Sequence, residues 1–161
     1  MTRDTAPAEA FRLTLGGARD LDDVMRVMGG AFSAEFGEGW SRSQCAGILP
    51  LQGVRLVVAR TAAGDVAGFS LDRAVADEAE LLLLAVAPAF QSRGLGSLLL
   101  DAFVAEHGAG AVNRLHLEVR DGNPAVGLYQ RAGFSAAGRR IDYYRGGDGR
   151  RHDAITMVRE L

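Results

Sequence analysis

The chain has 161 residues, room for one hydrophobic core and not for two, and its 48% hydrophobic and 24% charged residues are ordinary for a globular domain. A net charge of −2 excludes the strongly basic surface on which wholesale nucleic-acid binding relies. The longest apolar run, residues 81–86, falls far short of the roughly 20 residues of a membrane helix.

All 18 basic residues are arginine, so the chain offers no lysine of its own for acylation. Cys45 stands alone, which leaves no internal disulfide and no cysteine-based metal site. His107, His116 and His152 are scattered without metal-ligand spacing, so no metal is expected, and His107 reads as a helix-end residue facing the dipole. Residues 1–10 carry Asp4 and Glu9 and no apolar core of a signal peptide, which points to a cytoplasmic location.

Along the chain, residues 1–12 read as a loose end. Residues 20–34 carry Leu21, Val24, Met25, Val27 and Met28 at helical spacing behind Asp20 as N-cap. Ser41 and Gln44 form a capping box opening a second short helix that ends near Pro50. Residues 55–60 and 66–72 then read as strands joined by a turn at residues 63–65. Residues 80–86 are nearly all apolar, as in a central strand covered on both faces, and Pro88 stops them. Residues 95–106 present Leu95, Leu98, Leu99, Ala102 and Phe103 on one helical face. Residues 114–120 alternate, with Leu115, Leu117 and Val119 on one side and His116, Glu118 and Arg120 on the other. Asn123 caps a helix to about Arg131, and residues 134–144 and 152–160 form a closing hairpin around residues 146–149. This order predicts a single mixed α/β domain over residues 1–161, without the regular alternation of a doubly wound fold.

The chemistry begins at Gln91-Ser92-Arg93-Gly94-Leu95-Gly96-Ser97, which follows the buried strand and opens an amphipathic helix. Two glycines let the backbone turn sharply, and the N–H groups of the helix start form an anion site to which Arg93 adds charge. A Walker loop would need a lysine, and Leu99 stands where a dinucleotide fingerprint needs its third glycine. Taken alone, the two glycines also fit a tight turn that binds nothing.

Ala85-Val86-Ala87-Pro88 followed by Gln91-Ser92-Arg93-Gly94-Leu95-Gly96, with Leu128-Tyr129 and Gly133-Phe134 about 30 residues on, resembles the acetyl-CoA motifs of the GNAT superfamily. The resemblance implies a central, mostly antiparallel mixed sheet of six to seven strands, flanked by about four helices and splayed at the acetyl-CoA strand. It also implies acetyl-CoA as cosubstrate. Leu84, Ala85 and Val86 would bind its pantetheine arm, and Gln91, Ser92, Arg93, Gly94, Leu95, Gly96 and Ser97 its pyrophosphate. Asn123 would either hydrogen-bond the pantetheine arm or cap its helix.

Residues 77–157 further resemble the bacterial enzymes that acetylate the N-terminal alanine of ribosomal protein S18. The likeness rests on Asp77-Glu78-Ala79, Leu117-Glu118-Val119-Arg120, Asn123, Tyr129, and Tyr143-Tyr144 ahead of Asp148-Gly149-Arg150 and Asp153-Ala154. It departs at Ala87, where that group carries an aspartate, and in a shorter stretch between Asn123 and Tyr129. Gly127 inside that helix costs about 1 kcal/mol relative to alanine. The resemblance implies transfer to the N-terminus of a protein, with Glu118 as base and Tyr129 as the acid that protonates the departing thiolate. Trp40, Tyr143 and Tyr144 would meet the peptide, with Glu38 near Trp40. Because strand neighbours face opposite ways, only one of the two tyrosines is expected in the site. A GNAT enzyme for a small amine or antibiotic, and a non-catalytic acyl-CoA-binding module, stand as alternatives.

Overall fold

The computed structural model describes residues 10–161. In chain order these form β1 (Arg12–Leu15), α1 (Leu21–Ala31), α2 (Arg42–Ile48), β2 (Val54–Arg60), β3 (Val66–Val75), β4 (Glu78–Val86), α3 (Leu95–Gly108), β5 (Arg114–Arg120), α4 (Ala125–Arg131), β6 (Ser135–Arg145) and β7 (Arg151–Glu160). One seven-stranded sheet takes the order β1-β2-β3-β4-β5-β7-β6, and every pairing is antiparallel except β4 with β5.

The loose end expected over residues 1–12 is corrected where the structure describes it, since Arg12 opens strand β1 on the edge of β2; residues 1–9 lie outside the described residues. Asp20 stands at the N-cap of α1, but its side chain makes no cap bond there. Its carboxylate instead accepts the Gly17 N–H at 2.9 Å and pairs with Arg60 at 2.7 Å. Ser41 and Gln44 do form the reciprocal capping box of α2. On α3 the core face differs from the expected one: Leu98 is exposed, while Leu95, Leu99, Leu100 and Phe103 are buried. Two layers meet this helix, β2 and β3 on one flank and β4 and β5 on the other, so its apolar face is wider than one stripe.

The central strand β4 departs most from its apolar sequence. Leu71 pairs with Leu83 and Asp72 with Leu81, so Leu82 is an extra residue, a bulge. The bulge exchanges the faces of the strand. Ala79 and Leu81 pack with Leu100, Phe103 and Leu117 on the α3 side, whereas Leu83 and Ala85 pack with Val24 and Met28 of α1. A second consequence lies on the other edge. β4 pairs with β5 only from Glu78 to Leu81, against Arg114 to Leu117, and beyond that the two strands part.

His107 is not a solvated helix-end residue. Its Nε2 lies 2.8 Å from Oδ1 of Asp72, a fully buried carboxylate that also accepts Arg55 Nε at 3.2 Å. This triad ties the carboxyl end of α3 to β2 and β3. Removing the anion from such a cluster strands its partners without compensation. Asp72→Ala is therefore expected to lower unfolding free energy by about 3 kcal/mol or more, measured by urea denaturation; a loss below about 1 kcal/mol would show that the triad contributes little.

Candidate active site

The divergence of β4 from β5 opens a cavity of about 300 Å³. Residues 81–86 form one wall and residues 117–120 the other, with Asn123 ahead of α4 and Tyr129 on α4 also lining it. The edge of β4 that faces the gap has lost its strand partner beyond Leu81, so its backbone donors and acceptors need another one. Gln91 supplies one contact, its Nε2 donating to the Val86 carbonyl at 3.1 Å.

A 3₁₀ turn, Pro88–Phe90, carries the chain from β4 to the glycine loop. Gly94 takes φ +80° at the N-cap of α3, with open space where a Cβ would stand. Ser92 also lies in the left-handed region at φ +63°, an uncommon state for a residue with a side chain. The Leu98 N–H makes the first bond of the helix, to Gly94 at 3.0 Å, so by helix geometry the amides of Leu95, Gly96 and Ser97 point outward unpaired. Ser92, Arg93, Gly94 and Ser97 are exposed around this point, and Gly96 is half-buried. Leu95 turns its side chain into the core, leaving only its amide available.

Glu118 lines the cavity from the polar face of β5. One carboxylate oxygen accepts Arg140 Nε at 2.8 Å and the other accepts the Thr156 hydroxyl at 2.7 Å. Tyr129 is buried at the cavity wall with its ring edge-on to Phe134. Burial, and secondarily the charge of Glu38, push its phenol well above the ordinary tyrosine range, so it holds its proton at neutral pH. Pro124, not Asn123 as expected, is the N-cap residue of α4; Asn123 stands one residue earlier, where its Oδ1 accepts the Ala125 N–H at 2.8 Å, and it lines the cavity.

Tyr144 lines the cavity and donates its hydroxyl to the Glu118 carbonyl at 3.2 Å, while Tyr143 is half-exposed outside it. Only one of the two thus enters the site, as expected, although β6 bulges between Arg140 and Tyr144 and Asp142 adopts φ +55°. The two rings meet edge-to-face at 4.9 Å. Trp40 packs half-buried on the α1 core and does not line the cavity.

Three residues of the site were not singled out as a unit by the sequence. Glu38, from the segment between α1 and α2, lines the cavity in a nearly buried ion pair with Arg120 and accepts from Asn123 at 3.3 Å. The Arg120 guanidinium stacks over Phe36, 3.7 Å from the ring centroid, and Phe36 meets His152 edge-on at 5.3 Å. The only local hint is the glycine on each side of Glu38, and both the pairing and the stack span more than 80 residues. Among the described residues no cluster of histidine, cysteine or carboxylate side chains has the make-up of a metal site, and no helix is long and apolar enough to cross a membrane.

The acetyltransferase (GNAT) domain model matches residues 52–136, more than half of the chain, and the chain belongs to this family. GNAT acetyltransferases use acetyl-CoA. Among individual proteins it is 43% identical over 96 residues to a ribosomal protein bS18-alanine N-acetyltransferase of Escherichia coli (strain K12), covering 59% of this chain and 64% of that protein. The chain thus spans a little under two thirds of that relative's length. A protein of the same description from Salmonella typhimurium is 42% identical over 109 residues, covering 66% of this chain and 73% of that one. The crystal structure of the ribosomal-protein-S18-alanine N-acetyltransferase from Escherichia coli superposes with a TM-score of 0.84 at 31% identity, covering 94% of both chains. That of Ard1 from Thermoplasma volcanium gives 0.80 at 26% identity, over 94% of this chain and 98% of the other. The mixed sheet, its four helices and the parted strands are those of the GNAT fold.

The segment carrying Glu38 and Phe36 is fastened to the hairpin by backbone fit. Gly37 sits at φ +69°, and a Cβ there would lie 1.9 Å from the Arg145 carbonyl oxygen. Gly37→Ala is expected to cost about 1–3 kcal/mol in urea denaturation and to expose residues 33–40 to limited proteolysis. Unchanged stability and cleavage would mean that the segment docks without this fit.

Proposed function

We propose that this chain transfers the acetyl group of acetyl-CoA to the N-terminal α-amine of a protein, and that the N-terminal alanine of ribosomal protein S18 is its acceptor. The observation that carries the reading is the parted β4–β5 cleft, where the open edge of β4, Gln91 at the start of the glycine loop, Glu118 and Tyr129 line one cavity. The description shared by the relatives at 42–43% identity supports the acceptor.

The residues present fit acetyl-CoA. The β4 edge offers backbone hydrogen bonds to its amide-bearing arm, and the amides of residues 95–97 offer an anion site to its diphosphate. When bound, it supplies an acetyl thioester open to attack by a neutral amine. An N-terminal amine with a pKa near 7.8 is neutral in roughly one molecule in seven at pH 7, against about one in 2,500 for lysine. The deprotonation an N-terminus needs is therefore slight, about 1 kcal/mol, against nearly 5 for lysine.

Such a demand suits Glu118, whose charge is already shared with Arg140 and Thr156. Glu118 takes a proton from the ammonium, directly or through a water, and the neutral nitrogen then bonds to the acetyl carbon as the carbon–sulfur bond breaks. Tyr129, kept protonated by its surroundings, gives its proton to the departing sulfur and recovers one from the amine nitrogen, which sheds two in all. The charged residues lining the cavity are Glu38, Glu118 and Arg120, and each carboxylate has an arginine partner, Arg120 for Glu38 and Arg140 for Glu118. Tyr144 lines the peptide entrance, with Trp40 and Tyr143 as outer contacts.

Incubation with acetyl-CoA and a peptide bearing the S18 N-terminus, followed by mass spectrometry, is expected to yield a single acetyl on the α-amine. Transfer only to small amines, or cofactor binding without transfer, overturns this reading. Glu118→Gln and Tyr129→Phe are each expected to lower kcat about tenfold or more with acetyl-CoA affinity unchanged. Wild-type turnover from either variant removes that residue from the mechanism.

A further inference from the structure

Gly127 lies in the interior of α4, where glycine weakens a helix relative to alanine, and its φ is not one that requires glycine. What occupies the space above it is the guanidinium of Arg131. A Cβ at position 127 would lie 3.2 Å from Arg131 Nη1, tighter than most Cβ contacts, so the guanidinium would have to move by a few tenths of an ångström. Helical side chains lean toward the amino end, so Arg131, one turn on, carries its charge back along the helix. That takes it away from the carboxyl-terminal carbonyls with which a last-turn cation ordinarily interacts. Arg131 is exposed, and among the described residues no carboxylate pairs with it.

The direction in which Arg131 folds matters because of what α4 touches. Leu128, next to Gly127, packs on the first turn of α3, its Cδ2 3.4 Å from where a Cβ of Gly96 would stand. The guanidinium is thus carried back toward the helix turn that meets the outward amides of residues 95–97. Coenzyme A bears two separate anionic groups, the diphosphate and a phosphomonoester on the ribose 3′ oxygen. With the diphosphate on the α3 amides, a second cation in this neighbourhood has the phosphomonoester to meet. We propose that Arg131 binds the ribose 3′-phosphate of coenzyme A, and that Gly127 is the residue that makes room for it. The inference rests on the acetyl-CoA reading of the site.

The test compares coenzyme A with 3′-dephospho-coenzyme A by titration calorimetry on the full chain, and so needs no turnover. The wild-type protein is expected to bind coenzyme A about tenfold or more tightly than the dephospho form, the scale of one charge-assisted hydrogen bond. Arg131→Gln is expected to erase that difference while binding the dephospho form within about twofold of wild type. Gly127→Ala is expected to raise the melting temperature and yet weaken coenzyme A selectively, a combination that no loss of folding produces. Retained discrimination in Arg131→Gln, or equal weakening of both ligands, overturns the assignment of the 3′-phosphate. Full coenzyme A affinity in Gly127→Ala overturns the part given to the glycine. If the wild-type chain binds neither ligand, the acetyl-CoA reading fails and this inference falls with it.

Discussion

β4 and β5 stay together for four residue pairs and then part, and most of the functional architecture follows from that limit. A parallel pair that stops short leaves backbone groups on both edges facing a gap, and such groups must find partners in a ligand, water or a side chain. The bulge at Leu82 acts on the same strand at the same point, turning its side chains to opposite faces before and after. The lower half of β4 is thereby anchored in the α3 core and the upper half in the α1 core. The open edge is held rigidly even though it has lost one neighbour.

This explains why the apolar run was read correctly as a central strand but incompletely as a covered one. Leu83 and Ala85 are buried as expected, but Leu82, Leu84 and Val86 are only half-buried and reach the cleft or its margins. An unbroken apolar sequence looks the same whether its second face meets a helix or an acyl carrier. The bulge itself leaves no mark in composition, because Leu82 differs in no way from its neighbours as a residue type. Elements whose signal is local were legible: the capping box at Ser41 and Gln44, the alternation of β5, and the hairpin about residues 146–149. Strand β1 was not, since four residues with one alternation cannot be told from a tail without their partner β2.

The site divides along the same line. Gln91, Glu118, Asn123 and Tyr129 stand in short motifs, and the structure brings them around one cavity, while residues 92–97 of the glycine loop do not line it. Glu38, Phe36 and Arg120 come together only because Gly37 and Gly146 admit close backbone contact between the loop and the hairpin. Nothing within ten residues of Glu38 announces its partner. His107 shows the same limit: a histidine near a helix end suggests a dipole contact, but the buried carboxylate that claims it comes from a strand 35 residues earlier.

The two cavity carboxylates are balanced in a way that bears on the chemistry. Glu38 is met by Arg120 and Asn123, and Glu118 by Arg140 and Thr156, so each anion is held by groups from a different part of the chain. Pairing lowers the cost of keeping these charges near a low-dielectric cleft. Glu38, meanwhile, adds its charge to the effect of burial on Tyr129 and so opposes loss of the phenolic proton. The anion that pairs with Arg120 therefore also helps keep the neighbouring phenol protonated.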